Sequence, residues 1–244
     1  MKHNTLALAA LSTLALAAMA GTAQAATITI GSNGVAGNTN PDVPVHAWIR
    51  SDSGGNNPND DFMFVGALNA GGNELRGLFA FDLSSPLLDG ATINSVTVTV
   101  YQSGTATGST GTSDNYDLDL TALTGAVTNG ATWNSTVGFY DSTLVSITGD
   151  PTTVVENTPF TFNSNTDLVN YVQAALSSDT VQFGLKSDDL EALTERNFFA
   201  FGNNELQGTV AVPSITIDYT PVPEPGSLAL LALGGISMLQ RRRK

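Results

Sequence analysis

The 244-residue chain contains no cysteine. That excludes disulfides, thiol nucleophiles, iron–sulfur clusters and Cys-ligated zinc. Histidine is almost missing as well. His3 and His46 are the only two, and only His46 lies away from the extreme N-terminus, so imidazole chemistry has one available position. Basic residues are scarce, with 9 Lys and Arg against 22 Asp and Glu. A surface so poor in cations repels a phosphate backbone, which argues against nucleic acid as a partner. No Gly-rich loop follows a strand and opens a helix, and Gly31–Gly37 is a turn-rich start rather than a dinucleotide fingerprint.

Long apolar runs are confined to the two ends. At the C-terminal end Val222-Pro223-Glu224-Pro225-Gly226 precedes the run Ser227–Leu239, and Arg241, Arg242, Arg243 and Lys244 follow. The run is 13 residues, short of the roughly 20 that an unassisted membrane-spanning helix needs. The cations hold that end on the cytoplasmic side. Motif, short apolar segment and basic tail, in that order, resemble the PEP-CTERM sorting signal of Gram-negative bacteria. The resemblance implies export, recognition of Pro223, Glu224, Pro225 and the Arg241–Arg243 cluster by an exosortase-type enzyme, and transient anchoring by this segment.

At the other end Lys2 and His3 precede the apolar stretch Leu6–Ala20, and Ala23-Gln24-Ala25 offers small residues at the two subsites a signal peptidase reads. The expectation is a signal peptide over 1–25, cut between Ala25 and Ala26, an exported body over 26–221 and a sorting segment over 222–244. Signal peptidase and an exosortase are therefore expected partners, with the membrane a partner through the C-terminal segment.

Setting both ends aside leaves 21 acids against four bases, Arg50, Arg76, Lys186 and Arg196, a net charge of about −17. Such a surface suits a solvated extracellular protein and offers the oxygen ligands that Ca²⁺ takes. A body of this length buries its own core without disulfides.

The body reads as one all-β domain with short strands between Gly, Asn, Asp and Ser clusters. In Ser95–Tyr101 the valines Val96, Val98 and Val100 alternate with Thr97, Thr99 and Tyr101, which places them on opposite faces. Tyr116, Leu118 and Leu120 alternate likewise with Asp117 and Asp119. Thr27–Ile30, Leu75–Asp82, Thr180–Leu185, Arg196–Phe201 and Ser214–Tyr219 are further strands. One helix interrupts them: Asn165 or Thr166 caps it, Leu168, Val172, Ala175 and Leu176 form its apolar stripe, and it ends near Ser177–Ser178. The fold expected is a two-sheet antiparallel β-sandwich of jelly-roll type with one short helix.

Three blocks carry a second resemblance. Glu74-Leu75-Arg76-Gly77-Leu78-Phe79-Ala80-Phe81-Asp82 leads into Gly90-Ala91-Thr92-Ile93. Ala131-Thr132-Trp133-Asn134 follows, and Asn204-Glu205 with Pro213, Ile215, Ile217 and Tyr219 closes the series. Together they are similar to the DNRLRE family of extracellular β-sandwich modules. The resemblance implies a carbohydrate-binding-module-like protein, and fold alone does not fix function.

Candidate sites within the body are few. Asp52, Asn56, Asn57, Asn59, Asp60 and Asp61 crowd one loop and supply the oxygens a Ca²⁺ ion needs, without the spacing of an EF-hand. The second candidate is the strand face shared by His46, Trp48 and Arg50, which offers an aromatic ring and a cation to a ligand. Tyr101, Trp133, Tyr140 and Tyr171 are the other rings able to stack on a sugar. Asp117 and Asp119 mimic a hydrolytic carboxylate pair only because a strand is pleated. The reading is a non-enzymatic protein of the cell surface or extracellular matrix that binds, or is embedded in, extracellular polysaccharide. A polysaccharide hydrolase or lyase and a purely structural envelope protein are the alternatives.

Overall fold

The structure is a computed structural model that describes residues 24–31, 47–51, 56–58, 62–68, 73–103, 114–125, 132–152, 155–193, 196–202 and 211–222. Two antiparallel sheets pack together. The smaller has four strands in the order β1 (Ala26–Gly31), β12 (Ser214–Thr220), β6 (Thr92–Tyr101) and β9 (Pro159–Phe162). The larger runs β11 (Asn197–Gly202), β4 (Phe62–Ala67), β5 (Glu74–Asp82), β10 (Thr180–Lys186), β7 (Tyr116–Leu123) and β8 (Tyr140–Gly149). Two short strands, β2 (Ala47–Arg50) and β3 (Asn56–Pro58), attach to it through β2 against β5.

The alternation in sequence becomes the core. Val96, Val98 and Val100 are fully buried and face Ile215 and Ile217 of β12 in the same layer, with Phe79, Phe81 and Phe183 of the larger sheet opposite. Ile93 breaks the period, yet it is buried too. The reason is a bulge at the start of β6: Ser95 pairs with Asp218 and Ile93 with Tyr219, so Asn94 is the extra residue and both apolar sets reach one face.

Asn165 caps the predicted helix, its Oδ1 accepting from the Leu168 amide at 2.8 Å while its Nδ2 donates to the Leu144 carbonyl at 2.6 Å. The helix covers Thr166–Ala175, continues as a 3-10 turn through Ser178 and stops at Asp179, whose φ is 55°. Leu168 and Val172 enter the core. Gln173 holds the head of β6, its Oε1 accepting from the Ile93 amide at 2.8 Å and its Nε2 donating to the Ala91 carbonyl at 3.1 Å.

Among the described residues two one-turn helices add to the single helix expected. The three are numbered α1 (Trp133–Thr136), α2 (Thr166–Ala175) and α3 (Asp188–Glu191). Thr132 and Ser135 close α1 with a reciprocal capping box, and the Ser187 hydroxyl accepts from the Leu190 amide to start α3. Four residues are too short to show a helical period, so only the caps betray them.

Candidate functional site

The outer face of the larger sheet carries a charged cluster. Arg76 lies on β5 on the same face as Leu78, opposite the side on which Phe79 and Phe81 enter the main core. Leu78, Ala47, Ile49 and Leu123 form a second apolar cluster there, roofed by Trp133, Phe139 and Tyr140. The Arg76 guanidinium sits 5.1 Å from the centre of the Trp133 ring and 5.0 Å from that of Tyr140, a cation–π arrangement on two rings. Its Nε donates to Glu191 Oε1 at 2.9 Å and its Nη2 to Glu191 Oε2 at 2.8 Å. Glu74 adds a longer contact of 3.7 Å.

Burial alone would lower the Arg76 pKa, but the hydrogen bonds and charge of Glu191 outweigh it and hold the guanidinium above its ordinary value. Burial pushes the Glu191 carboxyl up, against the pull of Arg76, and Glu74 and Asp188 push the same way. Tyr140 is half-buried as a residue, but burial of its hydroxyl raises it well above the usual phenol range, and that hydroxyl donates to the Gly77 carbonyl at 2.8 Å. The ring lies so close over β10 that a Cβ on Gly184 would stand 2.5 Å from Tyr140 Cε1 and 2.5 Å from Thr121 Oγ1. Only glycine admits the ring there.

Both oxygens of Glu191 are occupied by one guanidinium and the Tyr140 hydroxyl is spent on backbone. The cluster is therefore built to fasten α3 and the segment carrying α1 onto β5. Sequence reasoning misses it because Arg76 and Glu191 stand 115 residues apart. The caps at Thr132–Ser135 and at Ser187 are its local signals.

The residues singled out from the sequence fall as follows. Trp48 is 9% exposed and packs edge-on against Phe64 at 5.3 Å, in a small apolar cluster with Leu75, Phe198 and Ala200. Its ring is largely covered by these neighbours. A strand lying between two covered faces is apolar on both. Arg50 is half-buried on the same strand, and His46 lies outside the described residues. Of the Ca²⁺ loop, Asp52, Asn59, Asp60 and Asp61 lie outside the described residues, and Asn57 is placed only as the β3 partner of Trp48. Among the described residues no three of His, Asp and Glu converge as metal ligands.

Asp117 is exposed, and Asp119 is 4.0 Å from Lys186 and accepts from Thr143 at 3.4 Å. Tyr171 is a strut. Its hydroxyl accepts from the Leu123 amide at 3.1 Å and donates to the Gln182 carbonyl at 2.6 Å, bridging β7 and β10 just beyond their last ladder pair, Ala122 with Phe183. A shallow cleft of about 500 Å³ opens beside it, lined by Leu123, Ala174, Ala175, Thr180 and Val181.

Ala25 and Ala26 are described and Ala23 is not; Ala26 is the first residue of β1 and pairs with Tyr219. β12 ends at Thr220, and only Pro221 and Val222 of the tail are described. Pro223, Glu224, Pro225 and Arg241–Arg243 lie outside the described residues. No helix among the described residues is long and apolar enough to cross a membrane.

The fold thus defines an antiparallel β-sandwich whose last strand leads directly into a tail of a particular kind. Residues 221–244 match the PEP-CTERM protein-sorting motif. The protein is accordingly one that is exported and sorted to the cell surface by an exosortase. No curated protein matches the chain, and the likeness of the body to DNRLRE modules remains a resemblance of sequence blocks.

Proposed function

We propose that the exported body is a non-catalytic module of the cell surface or extracellular matrix, bound to or embedded in extracellular polysaccharide. The observation that carries this reading is the sorting motif at 221–244, which delivers a β-sandwich to the compartment where such polymers are met. The engagement of Glu191 and Asp119 supports a non-catalytic role. Glu191 is closed by Arg76, and Asp119 leans on Lys186 while Asp117 faces solvent. With Trp48 largely covered, Trp133 is a ring with polar neighbours. It is half-buried beside Arg76, and Asn134 and Ser135 next to it are exposed.

The test uses the processed protein on a glycan array, with and without Ca²⁺, followed by an assay for new reducing ends. Retention without release of ends is the expected result, and Trp133→Ala weakens it. Release of reducing ends or of unsaturated products would replace this reading with the hydrolase or lyase one. Absence of retention on every glycan would leave a structural envelope protein.

A further inference from the structure

Three strand ends meet at one end of the smaller sheet. Ala26 at the start of β1 pairs with Tyr219, and Thr220 at the end of β12 pairs with Thr92 at the start of β6. The 3-10 turn Pro86–Leu88 and the turn through Gly90 close this pole. Gly90 has a φ of 65°, and a Cβ there would stand 3.1 Å from Val222 Cγ2, so the root of the tail lies against this turn. Three large apolar side chains are exposed among the described residues: Leu87 at 60%, Val155 at 59% and Val222 at 56%. Leu87 and Val222 share this pole. Val155 lies at the other, since its carbonyl accepts from the Thr158 amide and the Thr158 carbonyl accepts from Gln102, just past the far end of β6. The ten residues of β6 separate the two poles by about 30 Å at roughly 3.3 Å per residue.

The covalent chain limits how far this pole can be from the tail. Four residues, 223–226, stand between Val222 and the apolar run that starts at Ser227. Whatever their conformation, they bridge no more than about 18 Å. The headgroup layer on each side of a bilayer's hydrocarbon core is itself roughly 5–8 Å deep. The start of β1 lies at the same pole.

We infer that this pole is a membrane-facing surface: while the tail is seated in the bilayer, Leu87 and Val222 rest in the lipid headgroup layer. The inference rests on the apolar run 227–239 being membrane-seated, as the sorting motif requires before processing. Asp82 and Asp89, exposed beside the turn, set the depth, because carboxylates do not enter the hydrocarbon. The occupant is lipid because, while the tail is seated, the tether keeps lipid within reach of this pole.

The absence of cysteine from the chain makes the test direct. Leu87→Cys and Val155→Cys, each labelled with an environment-sensitive fluorophore, are reconstituted as full chains into phosphatidylcholine vesicles containing a headgroup-level nitroxide lipid. Both sites are exposed, so neither change disturbs the core. The label at 87 is expected to shift to the blue and lose intensity to the nitroxide, while the label at 155 does neither. Chains that float with the vesicles but show equal quenching at both sites, or none at 87, overturn the membrane-facing pole. Chains that do not float with the vesicles overturn the anchor reading beneath it, and the inference falls with it.

Discussion

Arg76 binds Glu191 with two parallel hydrogen bonds, 2.9 and 2.8 Å long, across a sequence separation of 115 residues. The pair is largely out of solvent, with side-chain exposures of 15% and 7%. Breaking one partner of such a pair strands the other, which typically costs about 3–5 kcal/mol. Arg76→Ala is expected near the lower figure, because Arg76 keeps some contact with water. Replacing both residues, Arg76→Met with Glu191→Leu, is expected to cost less than the single change, since no charge is left unpaired. Chemical denaturation of the two variants checks this. The deficit of Arg76→Ala also depends on pH. Without the guanidinium, burial raises the Glu191 carboxyl further, so stability is present below the unfolded carboxylate range and is lost as pH rises through the folded value. The deficit is therefore expected to shrink in acid.

Tyr171→Phe removes one hydroxyl and leaves two backbone groups, the Leu123 amide and the Gln182 carbonyl, without their partner. An unsatisfied buried group costs about 1–3 kcal/mol. The neighbouring cleft admits water, so a loss of about 1–2 kcal/mol is expected. Hydrogen exchange localises it: the Leu123 amide is expected to lose protection, while amides in the middle of the β7–β10 ladder keep theirs.

Asp218 on β12 accepts from Thr27 on β1 and from Ser95 on β6. Those two hydrogen bonds hold its carboxyl below the usual carboxylate range. A depressed folded pKa gives stability that is present above the unfolded value and lost as pH falls through the folded one. Thermal melts of the protein and of Asp218→Asn are expected to differ near neutral pH and to converge in acid. A gap that stays constant from pH 6 to pH 2, roughly the window of carboxylate titration, would remove the linkage.

Much of this architecture is legible in the sequence. Strands β6 and β7 show themselves through alternation, β1, β5, β10, β11 and β12 through short runs rich in Val, Ile, Thr and Phe between turn residues, and α2 through its cap and stripe. Strand β8 does not, because it lies at an edge, buries Leu144 alone and alternates polar residues on both sides. Strand β4, Phe62–Ala67, hides for the opposite reason, being apolar on both faces. The same two-sided burial makes Trp48 a core ring rather than a surface one. The Arg76 cluster is illegible in principle, because Arg76, Trp133, Tyr140 and Glu191 meet only through the register of β5 and the placement of two one-turn helices. The sorting tail is legible for the converse reason. Its order of motif, apolar run and cations is read along the chain by an enzyme, and no long-range packing is needed to assemble it.

That independence makes the tail the most direct element to test. Replacing Pro223-Glu224-Pro225 with three alanines changes no residue of the sandwich, whose last strand ends at Thr220 with its ladder to β1 and β6 complete. The variant's body is therefore expected to melt as wild type does. Its maturation is expected to differ, because the altered residues lie between Val222 and the apolar run, where a membrane-embedded enzyme meets them. Full-length protein is expected to accumulate in the membrane fraction of a host that carries an exosortase, while wild type matures and leaves it. Alanines also favour helix where prolines forbid it, so the variant changes backbone as well as side chains. Glu224→Gln, which keeps both prolines, separates the two effects. If it matures normally while the triple variant stalls, the enzyme reads the kinked backbone; if both stall, it reads the carboxylate. Normal maturation of the triple variant would show that the motif is not what directs this protein to the surface.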